Sequence, residues 1–506
     1  MGTLSTAIGE DRISRTSGYN IKRGRFSTET QNLPHIIAIF GEANTANQAG
    51  LTPAKVEVTS AAEAAELFGN GSPIHRAVSI LRPQNGDGVG GIPTIVFPQL
   101  TAEDATATVR AWTVTGTATG NATHTVVING RTSIDFQSYS FDVVEGDTPT
   151  VIAAKIASAI SGVLGAPCTA TSALAVCTAT TKWKGTTSAD FHMTIDSGNN
   201  SVGVTYAEST STDGAGSVDL ADTFAQFGDT WYTDVLNTYG VPQFAALEQF
   251  NGLPNDTAPT GRYSGLIFKP FIAYAGSTLS DKDALAAITN DSDRISQVTN
   301  VLCVAPNSKA FPFEAAANAI ALASVVYQNT PNIDVSGLSY PDMPVPADEE
   351  IGDMKDYNNR DFLVKKGCST VTLVNGAYQI QDLVTTYHPA GEVPLAYQYP
   401  RTLNIHFNVK DSYTTLEKLY LKDKTLVSDG QIVTVENCVK PKEWKAIIHN
   451  LFDEKAEEAL INDPQFSKDS LNVQISTTNP NRFDTVFDYK TTGTVRISST
   501  TARAGF

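Results

Sequence analysis

Residues 58–81 read VTSAAEAAELFGNGSPIHRAVSIL, and they lie between two apolar runs, HIIAIFG at 35–41 and IPTIVF at 92–97. Ser60 with Glu63 three residues later is a capping-box signature, in which serine oxygen and glutamate satisfy amides that a helix start leaves open. Ala64, Leu67 and Phe68 follow and Gly69 stops the run, so the spacing predicts a helix here. Ser72 caps a second helix with Pro73 at its first position and Ile74, Val78 and Leu81 along it. The flanking runs read as short strands. Strand, helices, strand is the opening of an α/β domain.

Beyond residue 100 the texture changes. Residues 101–220 are poor in charge and rich in Thr, Ala and Val, with short β runs at Val109–Val114, Thr125–Ile128, Phe136–Val143, Phe191–Ile195 and Val202–Tyr206. One helix interrupts them, capped by Thr148 with Pro149 first and Ile152, Ile156 and Ile160 on one face. The α/β pattern then resumes: helical segments at 219–227 and 230–239, a strand at Leu266–Ala273, a helix from Asp281, a strand at Val301–Ala305 and a helix over Phe313–Tyr327. Further on, Ser412 caps an expected helix carrying Leu416, Leu419, Tyr420 and Val427, and Pro441 opens another with Trp444, Ile447, Ile448, Leu451 and Phe452 on its apolar face. His406 alternates with apolar neighbours on a strand pattern. The expected fold is thus a multidomain α/β (α+β) chain. An N-terminal arm occupies 1–32, a split α/β domain 33–100 with 219–345, an inserted β-rich domain 101–218, a C-terminal α/β section 346–481 and a C-terminal β arm 482–506.

The chain has 506 residues, enough for several cores, and a formal charge of −17 from 36 basic and 53 acidic side chains. Such a body offers nucleic acid no broadly basic surface. Basic residues gather at the ends instead: Arg12, Arg15, Lys22, Arg23 and Arg25 at one, Arg482, Lys490, Arg496 and Arg503 at the other. Acidic copies of the same protein are candidate partners for them. The five cysteines are scattered without CxxC or metal spacing and read as structural thiols. No apolar signal core precedes Arg25, and the longest apolar stretch, Ala315–Val326, is too short to span a bilayer.

Catalytic signals are weak. The run Gly86-Asp87-Gly88-Val89-Gly90-Gly91 invites a phosphate reading, but a helix precedes it and a strand follows, the reverse of a nucleotide-binding loop. No GxxxxGK[ST], HExxH or GxSxG occurs, Asp291 and Asp293 lack the rest of a calcium loop, and Asp348–Asp356 reads as a solvated acidic loop. The expectation is a structural or binding protein without catalytic residues, cofactor or metal.

The order of segments resembles the tail sheath proteins of contractile-tailed bacteriophages, most closely the Mu-like type. The residues that carry the resemblance are His35–Gly41, Val58–Ser60 through Leu67–Gly69 with Gly71-Ser72, Val114–Gly116, Val126–Gly130, Ile152-Ala153 and Ala157–Ile160. They continue through Ala315–Ala323, Arg360, Gly367, Thr370, Asp382–Tyr387, Tyr413–Leu421 and Ser428–Gly430. Where many relatives carry an arginine before the TTY segment, this chain has Asp382-Leu383-Val384, so no arginine role transfers there.

The resemblance implies a virion protein, assembled in the host cytoplasm, that polymerises as stacked hexameric rings around a tail tube. Contraction would drive the tube through the host envelope for genome delivery. Its implied partners are copies of itself, the tube protein, and baseplate and terminator proteins, with no nucleic acid contact and no membrane insertion. Arms would add strands to neighbouring subunits, with Phe487, Tyr489, Val495 and Ile497 as the buried face of the C-terminal joint and Arg12, Arg15, Lys22 and Arg23 as N-arm contacts. Lys440, Lys442 and Lys445 are the expected tube-facing set, with Lys418, Lys422 and Lys424 competing. The inserted domain is expected to face outward. Alternatives are the sheath of a tail-like bacteriocin or other contractile injection system, or a β-rich adhesin or carbohydrate-binding virion protein.

Overall fold

The computed structural model describes residues 32–86, 88–254, 258–392 and 397–504. The architecture is mixed α/β with several sheets. β1 (Ile37–Glu42) and β2 (Val56–Glu57) precede α1 (Ala61–Phe68), α2 (Pro73–Leu81) and β3 (Thr94–Gln99). Both helix starts are capped by serine: Glu63 N–H donates to Ser60 Oγ at 3.2 Å and His75 N–H to Ser72 Oγ at 3.1 Å.

The chain then leaves the body. β4 (Val109–Thr115), β5 (Ala122–Ile128), β6 (Ser140–Val143), α3 (Pro149–Ser161), β7 (Cys168–Ala173), β8 (Val176–Thr181), β9 (Met193–Asp196) and β10 (Thr205–Thr212) follow. They form two antiparallel sheets, ordered β10-β4-β8-β7 and β9-β5-β6. The apolar face of α3, with Ile152, Ile156 and Ile160 fully buried, packs between them. Exit and return meet at a neck: Thr106 N–H donates to Ala215 O at 2.9 Å, and Ala215 N–H to Thr106 Oγ1 at 3.0 Å.

Back in the body come α4 (Ala221–Gln226), β11 (Asp234–Asn237), α5 (Phe244–Asn251), β12 (Ile272–Ser277), α6 (Lys282–Thr289), β13 (Asn300–Val304) and α7 (Pro312–Asn329). The main sheet runs β13-β12-β11-β1-β3-β2, parallel except for the β2 edge. Ile37 and Ile39 face the larger core with α2 and α7, while Ala38 and Phe40 face an aromatic core of Phe97, Phe227, Tyr232 and Phe271. Both sheet faces are therefore covered, as a parallel sheet requires. A Cβ on Gly276 would stand 1.6 Å from Pro312 O, so only glycine lets α7 start directly on β12.

Two expectations fail here. The helix expected over 230–239 is a central strand, β11, whose four residues are all buried, so it shows no two-residue alternation. The strand expected from Leu266 starts at Ile272, and Leu266 is 99% exposed at the tip of a turn.

The last section holds α8 (Tyr357–Lys365), β14 (Thr370–Val374), β15 (Ala377–Asp382), α9 (Pro400–Tyr420), β16 (Thr425–Leu426), β17 (Cys438–Val439), α10 (Pro441–Glu457), β18 (Ile461–Asn462), α11 (Pro464–Ser470), β19 (Asn472–Ile475), β20 (Phe483–Val486) and β21 (Lys490–Thr491). α9 begins at Pro400, twelve residues before the expected cap, so Ser412 is a buried mid-helix residue and His406 is helical. Val427 lies past its end. A terminal core of Ile405, Val409, Trp444, Ile448, Phe452 and Leu460 joins α9 to α10.

Candidate assembly surfaces

Three places join pieces of this chain that lie far apart in sequence. The first is the seat of the insertion. Arg76 of α2 and Arg131 of the insertion converge on Glu314, which is 1% exposed in the first turn of α7, at 2.9 and 2.7 Å. Asp342 completes the group at 2.6 Å from Arg76 and 3.3 Å from Arg131. Burial works against the Asp342 charge, but the two arginines outweigh it and hold its pKa down to about 2. Phe311 and Phe313 beside Glu314 enter the insertion's own core.

The second is the seam where the insertion covers the carboxyl end of β1. Glu42 is 2% exposed there, and among the described residues its side chain accepts only a long hydrogen bond, 3.5 Å, from Thr187 Oγ1. Thr187 in turn accepts from Trp183 Nε1 at 3.0 Å. Burial raises the Glu42 pKa to about 8 against the modest opposing pull of Thr187.

The third is the C-terminal segment. Phe487 packs 5.2 Å from the Phe452 ring and 5.7 Å from Tyr413, and Tyr489 Oη bonds His406 Nδ1 at 2.7 Å. β20 pairs with β19 and β21 with β18, so residues up to 491 are built into their own subunit. Phe487 and Tyr489 thus pack within the chain, whereas Val495 and Ile497 are 91% and 84% exposed. Of a hairpin or an extended arm about Thr491-Thr492-Gly493, the chain forms the extended arm.

Of the lysine sets, the first is partly engaged internally. Lys445 Nζ donates to Leu471 O at 2.9 Å and Lys442 Nζ to Asp429 O at 3.5 Å, while Glu443 accepts from the Lys440 main-chain N–H at 3.1 Å. Lys424 Nζ reaches Glu436 O at 3.2 Å. Lys418 and Lys422 are exposed, and their side chains make no hydrogen bond or ion pair among the described residues. Arg12, Arg15, Lys22 and Arg23 lie outside the described residues.

Gly86 and residues 88–91 lie in the turn between α2 and β3. Arg82 ties it down by donating to Gly90 O at 3.0 Å and Ile92 O at 2.5 Å, and a Cβ on Gly88 would meet Leu81 O at 2.4 Å. Among the described residues no group of three or more His, Cys, Asp or Glu is placed to hold a metal ion, and no helix is long and apolar enough to cross a membrane.

No family model matches the chain. Over 461 residues it is 24% identical to the Mu-like prophage FluMu tail sheath protein of Haemophilus influenzae, covering 87% of each. Among solved structures, the sheath tail protein of Desulfitobacterium hafniense aligns with a TM-score of 0.46 at 12% identity, covering 94% of this chain and all of that one. The sheath tail protein of Listeria innocua gives 0.46 at 9% identity, covering 92% and 94%. The contracted helical sheath of the anti-feeding prophage gives 0.39 at 11%, covering 98% and 99%.

Proposed function

We propose that this chain is the structural subunit of a contractile tail sheath. The collinear match to the Mu-like tail sheath protein, across 87% of both chains, carries the reading. In that role it polymerises as stacked hexameric rings around a tail tube, and contraction drives the tube through the host envelope for genome delivery. The neighbouring copies, the tube, the baseplate and the terminator are its partners. The outward Val495 and Ile497 support self-association through a terminal arm, since extended segments join sheets by main-chain hydrogen bonds. Contraction then runs downhill from a metastable extended lattice, a population shift that needs no nucleotide.

The tube contact falls to Lys440, Lys442 and Lys445 at the start of α10 or to Lys418, Lys422 and Lys424 around the end of α9. Charge reversal of each set, scored by co-assembly with the tube, separates them. Negative-stain microscopy of the purified protein tests the reading as a whole: hollow striated cylinders are expected, and a chain that stays monomeric under all assembly conditions contradicts it. Removal of residues 1–20 is expected to leave folded subunits that no longer polymerise.

A further inference from the structure

From Thr492 to Ile497 the chain alternates, with Thr492, Thr494 and Arg496 half-buried and Gly493, Val495 and Ile497 exposed. The inward residues are held by side chains. Arg401 donates to Thr492 O at 2.7 Å and to Thr492 Oγ1 at 2.8 Å, while its Nε holds Asn332 O at 2.7 Å. Four residues on, Arg496 lies between two carboxylates, Asp334 and Asp382, the latter at 2.7 Å, with its guanidinium 3.7 Å from the centre of the Tyr399 ring. Among the described residues, 493–504 make no main-chain hydrogen bond. The backbone there is held by its side chains alone, with its ladder groups unused.

We propose that Arg496 is the fixed pivot of the arm, clamped between Asp334 and Asp382 of its own subunit so that Val495 and Ile497 are presented to a second copy of this chain. The inference rests on the sheath reading and adds to it the residue that aims the arm. The chemistry suits a pivot. A planar guanidinium between two carboxylates and an aromatic face is fixed in orientation as well as position, which an ammonium would not be. Were Arg496 to leave, the two half-buried carboxylates would lose the cation between them and keep only the weaker pull of Arg401 on Asp334 and Arg360 on Asp382, so departure is opposed. Asp382 also gains an account: the acid before the TTY segment receives the arginine of the arm.

The test compares the concentration at which the full-length chain forms sedimentable cylinders. Arg496→Ala is expected to raise it about tenfold or more and to blunt its dependence on salt. Arg496→Lys should not restore it, and the exchanged pair Arg496→Asp with Asp382→Arg should restore it in part. Val495→Ser with Ile497→Ser should abolish cylinders without changing the thermal unfolding of the subunit, which keeps the proposal testable should Arg496→Ala fail to fold. Cylinders from Arg496→Ala at the wild-type concentration would overturn the pivot alone. A wild-type chain that never assembles would instead remove the sheath reading, and the proposal with it.

Discussion

Arg131, in the inserted domain, grips Glu314 at two points, with Nη2 donating to Oε2 at 2.7 Å and Nη1 to Oε1 at 3.3 Å. Arg76 shares the same carboxylate from α2, so a single buried acid bolts the insertion to the body. Breaking a buried ion group from one side leaves uncompensated charge, which costs about 3–5 kcal/mol. Glu314→Ala is therefore expected to lose stability of that order in chemical denaturation. Arg131→Ala should lose less, because Arg76 still pairs with Glu314, but it should speed protease cleavage near 101–107 and 213–218. Unchanged cleavage in both variants would contradict the bolt.

Glu42 gives the seam a pH dependence of definite sign. Its pKa is near 8 in the folded chain and close to 4.5 unfolded, so between these values the folded state holds the extra proton. Stability must then fall as pH rises from about 4.5 towards 8, by at most about 1.4 kcal/mol per pH unit. Glu42→Gln should flatten that slope and raise the melting temperature at pH 8. A slope identical in wild type and variant would show that Glu42 is charged and solvated.

His406 works in the opposite direction. Burial lowers its pKa to about 4, so it is neutral in the fold, and its Nδ1 shares a hydrogen bond with Tyr489 Oη at 2.7 Å. A depressed base contributes stability above its unfolded pKa of about 6.5 that is lost as pH falls towards 4. Tyr489→Phe removes the hydroxyl that His406 is bonded to and is expected to cost about 1–2 kcal/mol. Exchange of the amides of β21 should accelerate with it, since Tyr489 adjoins that strand; unaltered protection would place the anchor elsewhere.

Alkylation of the native chain should mark one cysteine. Cys168, Cys177, Cys303 and Cys368 are buried, and burial pushes their thiols well above the ordinary range, while Cys438 is half-exposed. The thiolate is the reacting form, so the buried four should stay unlabelled at pH 8. Mass spectrometry showing label on Cys303 or Cys368 would mean that the larger core opens readily.

Local signals carried the sequence reading furthest. The serine caps of α1 and α2, Pro149, the Asp281 cap and Pro441 each act within a few residues, and each marks a helix start as expected. β11 was hidden because its leading acid is partnered from afar: Asp234 meets His35 at 2.6 Å across 199 residues. α9 was half hidden because Asn404 and Asn408 mimic a polar–apolar alternation. In fact each turns its amide back to a carbonyl four residues earlier, at 2.9 Å. Glu314 gave only a faint signal, an acid at the start of an alanine-rich helix, since its arginines lie 238 and 183 residues away. Arg496 was visible as a basic residue near the end, but its carboxylates at 334 and 382 were not. A charge has no periodicity that names its partner.

The neck at Thr106 and Ala215 also bears on how the chain reaches this state. β1 pairs directly with β11, yet nearly two hundred residues separate them, and closing so long a loop is entropically unfavourable. If the insertion folds first, its neck brings the two ends of the body together and shortens the effective loop to about eighty residues. The excursion then behaves as a tether that hastens closure of the sheet it interrupts. The slow step of folding would lie in the antiparallel pairing of β4 with β8 and β10, ahead of the parallel sheet.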